Sequence, residues 1–442
     1  MQNLETTKQN IFLAKEILFS IVKHIAENIF YYLPCLIFYF ITASFWQLGI
    51  LSVLEKGSSL SDSGLLMGHF MLVSGLLILP LSFLSDRLSR RLVVFSGFGC
   101  ICTSGIFRIL PINIGSDLSF LLLGLGLGCL GAPIKIFTRE LIKKNVDNNL
   151  NDSDIYLAIE FCSRLMILAS SHISWRLLKN GADLPWIIWS LLAAVACISL
   201  TKYSKTTIQY SDSTGTNQNQ NSVKPNYIIR LKICVIHLST VFVGIEMGIR
   251  SIILNPYITE VLNHGNIASL QLQGTVQAVA GITGTFFFKF INRKFFNDYQ
   301  DNDILKERLY IVFIILALLT YSVLNYVSSI TDQYSVFLRF SAIAIISMGW
   351  FFPLRDSLIS LYSSGKNDTL LLGSVFSIQY IAAALTLYTL KYSGISVGEI
   401  REYWFFASTM LIASSLILIF IPTISIFSLG DVLKSNKATK VI

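Results

Sequence analysis

The sequence predicts an all-α integral membrane protein of about twelve transmembrane helices in two six-helix pseudo-repeats. Three observations predict it. Of the 442 residues, 53% are hydrophobic and only 14% are charged, whereas a soluble domain carries roughly 25% charged residues. Apolar runs of the ~20 residues needed to cross a bilayer recur along the whole chain. One long polar stretch, 204–226, leaves six such runs on each side.

The runs fall near 30–54, 62–84, 92–110, 117–137, 155–178, 184–202, 228–254, 268–291, 309–329, 334–361, 369–392 and 401–427. Segment 1–27 precedes them. Its residues 11–27 mix apolar positions with Lys15, Glu16, Lys23, His24 and Glu27. That pattern suits an amphipathic helix on a membrane surface, or one packed on the protein. The N-terminal half takes 28–203. Linker 204–226 is rich in Ser, Thr, Asn and Gln and cannot bury a core. The C-terminal half takes 227–428, and 429–442 is a polar tail.

Net charge is +8, and its placement carries the information. One set of loops holds Arg87, Arg90, Arg91, Lys143, Lys144, Lys202, Lys205, Lys224, Arg293, Lys294, Lys306, Arg308 and Lys366, and the tail adds Lys434, Lys437 and Lys440. The opposite loops hold little beyond Lys56, Lys179 and Arg401. This bias places both termini in the cytoplasm of a cell with the chain in its inner membrane. Because the charge follows topology, nucleic acid is not expected as a partner. The seven cysteines lie almost entirely within apolar runs and form no Cys-x-x-Cys pair, so neither a disulfide frame nor a metal site is expected. No phosphate-binding Gly-x-x-x-x-Gly-Lys-Ser/Thr loop occurs, so ATP is not the expected energy source. No cofactor and no enzymatic activity are expected, because no paired catalytic constellation stands out.

The two halves echo each other. The fourth run reads Ser119-Phe120 through Pro133-Ile134-Lys135, and the tenth reads Arg339-Phe340 through Pro353-Leu354-Arg355, an offset of 220 residues. Internal repeats of this kind are how secondary transporters build a midplane site with alternating access.

A charged knot follows the second run: Asp86-Arg87-Leu88-Ser89-Arg90-Arg91. Such a cluster belongs in a short loop at the membrane surface. Its Asp-Arg-x-x-Arg-Arg spacing resembles the loop between helices two and three of the major facilitator superfamily. Ser82 and Ser89 stand where that family carries Gly. The run Phe120 to Gly128, with Gly124, Gly126 and Gly128, resembles its fourth helix. Asn255-Pro256-Tyr257-Ile258-Thr259-Glu260-Val261-Leu262 resembles the end of one of its odd-numbered helices. Phe120 or Ser119 stands where proton-coupled members commonly have Arg, and residues 155–180 lack the Gly- and Pro-rich motif of drug–proton antiporters.

The resemblance implies a monomeric secondary active transporter of a small organic solute, working by alternating access, with membrane lipid and a coupling proton as further partners. Asp86, Arg87, Arg90 and Arg91 would then form a loop that switches conformation. The alternatives are a drug or metabolite efflux antiporter, or a non-transporting membrane sensor that keeps the fold.

An ionisable residue at the centre of a span costs ~2.5–3.5 kcal/mol, so each needs a reason. Glu246 and Arg250 share a helix face, as do Glu160 and Arg164. Each pair reads either as a substrate or coupling site or as a structural ion pair. Ser171 and Trp175 continue the Glu160 stripe. Gly244 and Gly248 lie opposite Glu246 and suit close helix packing. His69 is a candidate proton carrier or a packing histidine. Gln47, Trp350 and Gln379 are candidate polar and stacking contacts. Lys135, Arg139, Arg355 and Asp356 are candidates for an inner gate, or for cations snorkelling to headgroups, the reading also given to Arg108 and Arg339. Cations outnumber carboxylates among these residues, which points to an anionic or zwitterionic solute: a carboxylate, an amino acid or a carboxylate-type metal chelator.

Overall fold

A computed structural model of the chain describes residues 22–54, 60–87, 89–110, 115–146, 152–202, 227–262, 267–291, 303–362, 368–393 and 397–422. The expected linker 204–226, the tail 429–442, residues 1–21 of the N-terminal segment and the Arg293-Lys294 loop lie outside the described residues. Residues 22–27 are helical and meet the first long helix at a turn on Asn28.

The helices in chain order are α1 (Ile29–Leu54), α2 (Leu60–Arg87), α3 (Arg90–Ile109), α4 (Gly115–Leu130), α5 (Pro133–Asn145), α6 (Asp152–Lys179), α7 (Leu184–Lys202), α8 (Tyr227–Pro256), α9 (Ile267–Ile291), α10 (Asp303–Ser329), α11 (Tyr334–Tyr362), α12 (Asp368–Ser393) and α13 (Ile400–Leu418). Long apolar composition drives them, because a helix satisfies its own backbone where lipid cannot. Ten spans among the described residues are long and apolar enough to cross a membrane, with α4 and α5 counted as one. The long helices outside that set are α6 and α9.

The two echoed prolines act differently. Pro133 opens α5 after a turn at Gly131-Ala132, and its missing N–H suits a helix start. Pro353 sits inside an unbroken α11. Flexible Gly131 precedes the first, whereas bulky Phe351 and Phe352, which pack on each other at 5.1 Å, precede the second. At the end of α8, Pro256 leads into a single π turn, Tyr257–Val261. Tyr257 is fully buried there, and its hydroxyl donates to the carbonyl of Ser328 at 2.7 Å, capping the end of α10.

Packing repeats between the halves. In the first, α1 packs on α6 and α7, α2 on α4, and α3 on α4 and α7. In the second, α8 packs on α12 and α13, α9 on α11, and α10 on α11 and α13. The halves meet along two seams, α2 with α12 and α6 with α9. The α2 end at Arg87 and the α3 start at Arg90 mark one face of the bundle, called the loop face here; the opposite face carries the α1 end at Leu54.

An aromatic cluster fills the first half. Phe45 lies 4.5 Å from Phe70 and 5.6 Å from Phe120, and Trp186 lies 5.0 Å from Trp189. Trp189 Nε1 donates to Ser44 Oγ at 2.9 Å. Arg108 reaches this cluster and does not snorkel. Its side chain is 1% exposed, lies 3.2 Å from Asp183, donates to the Ser52 carbonyl and sits over the Trp186 ring. A partner 75 residues away supplies the compensation that a lipid headgroup was expected to give. Arg339 is exposed.

Candidate functional site

A cavity of about 450 Å³ lies between the halves. From the first half α1 supplies Trp46 and Gln47, and α6 supplies Arg164, Ile167 and Trp175. From the second, α8 supplies Glu246, Met247, Arg250 and Asn255, α9 supplies Gln273, Gly274 and Gln277, and Tyr321, Met348, Phe352, Phe376, Gln379 and Tyr380 complete the wall.

Glycine packing turns α8 to face this space. A Cβ on Gly248 would meet the Ala383 carbonyl oxygen of α12 at 2.7 Å, and one on Gly244 would strike the Gln379 backbone. With those two positions locked against α12, Glu246 and Arg250 point to the cavity. Arg250 Nη1 lies 3.7 Å from Glu246 Oε1. The Tyr321 hydroxyl donates to the same oxygen at 3.2 Å, and the Arg250 guanidinium sits over the Tyr321 ring at 5.2 Å. On α6, Arg164 Nη2 lies 2.8 Å from Glu160 Oε1. Arg164 lines the cavity and Glu160 stands behind it.

The cavity therefore brings together Glu246, Arg250, Arg164, Gln47 and Gln379 from the expected residues. Two others lie elsewhere. His69 sits in the α2–α12 seam, with its ring 5.8 Å from Tyr388 and its Nδ1 3.9 Å from Asp117. Trp350 packs at a tilt on Phe287, 4.9 Å away, and does not line the cavity. Lys135 and Arg355, counted among the cavity's cations from sequence, do not line it either. Sequence reasoning passed over Gln273, Gln277 and Tyr321. The two glutamines had a signal, three glutamines (Gln271, Gln273 and Gln277) inside one span, whereas Tyr321 had none.

No protein-family model matches the chain, and no curated protein is similar to it in sequence. Solved structures are similar in shape. A crystal structure of the nucleoside transporter NupG, in a mutant form, superposes with a TM-score of 0.62 at 10% identity, covering 89% of this chain and 99% of that one. The chain has the major facilitator fold.

Within that major facilitator fold the cavity is bridged by contacts between halves at both ends. Towards the loop face, Lys135 Nζ of α5 lies 3.9 Å from Asp356 Oδ2 of α11. Arg355 is buried and donates to Asp356 at 3.1 Å and to Gln379 Oε1 at 3.3 Å. Gln379 thus touches both the cavity and this charged group. Arg139 instead donates to Tyr156 Oη at 3.2 Å within the first half. Towards the opposite face, Asn255 Nδ2 of α8 donates to the Gln47 carbonyl at 3.3 Å. His172 Nε2 of α6 meets Thr275 Oγ1 of α9 at 3.1 Å.

At the loop face Asp86 accepts from Arg90 at 2.7 Å, and Arg90 also pairs with Glu140 of α5. Arg91 donates to the Leu200 carbonyl at 3.1 Å, tying α3 to the end of α7. Arg87 lies over Phe83 at 4.5 Å. Ser89, which stands where the resembling family has Gly, caps α3 through Leu92 N. Seven cysteines are free. Among the described residues no group of His, Cys, Asp and Glu is arranged to hold a metal.

Proposed function

We propose that the chain is a secondary transporter that moves a small polar organic solute across the inner membrane by alternating access, with both termini cytoplasmic. One observation carries the reading: a cavity lined by both halves and bridged between them at both ends. A solute held there touches both halves, so its binding energy can differ between their two arrangements, which is what a ligand needs in order to shift an equilibrium. The positive-inside loop bias supports the orientation.

The lining refines the solute class. Each cavity cation has its own carboxylate on the next helical turn, Glu246 for Arg250 and Glu160 for Arg164. The charges cancel locally, so the excess of cations that pointed to a free anion is not present at the wall. Aromatic rings and side-chain amides remain, the groups that hold a planar, hydrogen-bonding solute. A zwitterion or a neutral solute suits this wall, and the nucleoside named for NupG has that chemistry. Glu246 is the residue proposed to take a coupling proton, with Arg250 and Tyr321 holding it.

Counterflow in proteoliposomes tests this. Vesicles preloaded with a bound solute should exchange it for the labelled form, and Arg250→Ala should slow exchange at least tenfold while the protein stays monodisperse. Glu246→Gln should abolish proton-driven accumulation and spare exchange. Absence of exchange for every solute that binds the purified protein would remove the transporter reading.

A further inference from the structure

We infer that the side-chain oxygens of Gln47 and Gln273, one from each half, form a paired acceptor site for a neutral solute bearing neighbouring hydrogen-bond donors, as on the hydroxyls of a ribose or hexose ring. The inference rests on reading the cavity as the solute site, and it names the chemistry that the site selects.

A serine sets the orientation of the Gln47 amide. Ser171 Oγ gives its one proton to the Ile167 carbonyl at 2.7 Å. Towards Gln47 it can therefore only accept, and Gln47 Nε2 donates to it at 3.1 Å. That bond turns Gln47 Oε1 away, buried and without a partner among the described residues. Gln273 on α9 also donates to a serine. It is 4% exposed, its Nε2 donates to Ser341 Oγ at 3.2 Å, and its Oε1 is buried without a partner among the described residues. Both residues line the cavity.

Gln47 lies against the turn of α9 that carries Gln273. A Cβ on Gly274, the residue after Gln273, would lie 3.4 Å from Gln47 Nε2 and would collide with Ser171 Oγ. Only a glycine lets α9 approach α1 and α6 this closely.

Buried carbonyl oxygens normally have donors, and leaving them unmet is costly. Two oxygens that can only accept require a ligand that donates twice. A carboxylate or a phosphate dianion offers no donor. An ammonium group donates, but the carboxylates that could pair with it, Glu160 and Glu246, are already held by Arg164 and Arg250, so its charge would be buried without a counter-ion. Hydroxyls donate without charge. Trp46 and Trp175 border the cavity from the same half as Gln47, and such rings suit the apolar face of a sugar ring.

Binding to the full-length protein in detergent decides it, using uridine, 2′,3′-dideoxyuridine, D-glucose, 2-deoxy-D-glucose and citrate as probes. A hydroxylated probe should bind at least tenfold more tightly than its deoxy partner. Gln47→Met and Gln273→Met should each weaken it about tenfold, the scale of one lost hydrogen bond, and shrink the hydroxyl preference. Gln271→Met, on the same helix but outside the cavity lining, should leave both unchanged. The nucleoside and sugar arms tell which ring is read. Should a methionine variant fail to fold, Ser171→Ala and Ser341→Ala free the amides to turn and should lose the same preference.

Preferential binding of citrate, no binding by any hydroxylated probe, or an unchanged hydroxyl preference in the variants overturns the inference. Binding that depends on both glutamines without counterflow would keep the inference and remove the transporter reading. Counterflow with binding that ignores both glutamines would do the reverse.

Discussion

The two seams between the halves are built from different materials. Along α2 and α12 the backbones nearly touch. A Cβ on Gly75 would lie 2.9 Å from the Ile381 amide nitrogen and 3.1 Å from the Ser377 carbonyl, and Ser377 Oγ donates to the Gly75 carbonyl at 2.5 Å. Gly373 faces Ser82, and Gly68 faces the Tyr388 ring. Along α6 and α9, Phe161 lies 5.9 Å from Phe286, but polar side chains supply the other contacts: Ser171 and Arg164 pack on Gly274 and Gly281, and His172 meets Thr275. These two helices are also the ones too polar to count among the apolar spans. The first seam excludes solvent by small-residue packing, the way helices associate in lipid. The second borders the cavity, so its polar groups can face a solute or water. Low hydropathy in a long helix here coincides with lining the cavity.

The contrast can be broken at graded cost, measured as melting temperature and monodispersity in detergent. Gly75→Leu should be worst, costing about 3 kcal/mol or more, because backbone atoms cannot move aside. An unchanged melting temperature would show that the seam is loose. Arg164→Met should cost about 2 kcal/mol by stranding Glu160. That is less than a sealed pair would lose, because this pair borders the cavity. Adding Glu160→Gln should recover most of the loss, and a cycle without recovery would mean the residues act separately. Gly274→Ala should cost about 2 kcal/mol, since rotation of Ser171 moves its Oγ but leaves its Cβ 2.7 Å from the new methyl, so the helices must shift. Lys135→Ala should change stability by less than about 1 kcal/mol, because its pair with Asp356 is long and partly exposed. A larger loss would promote that bridge from a trimmed contact to a principal brace. Gly99→Ala, with open space around it, should be neutral within about 0.5 kcal/mol.

The helices were legible because a bilayer sets their length and composition. Run 184–202 matches α7, and 92–110 matches α3 to within a residue or two. The break in the fourth run at Gly131-Ala132 was legible only in part, since the echoed Pro353 leaves its helix intact. The Glu246–Arg250 and Glu160–Arg164 pairs were visible as four-residue spacings and are ion pairs in the structure. Arg108 was misread because an arginine near a helix end looks alike whether its partner is a headgroup or Asp183. Gln273 was missed because the three glutamines of its run carry no sign of the direction each one faces.

By itself the sequence determined the class of solvent, the spans, their division into halves and the charge asymmetry of their loops. Each depends on composition within one segment, and lipid enforces it segment by segment. Only the tertiary structure decided which charges meet, which seam is sealed and which polar residues line the cavity. Those outcomes depend on how each helix is rotated against its neighbours, and that rotation is set by glycine contacts such as Gly248 on Ala383 and Gly75 on Ile381, made between residues far apart in the chain.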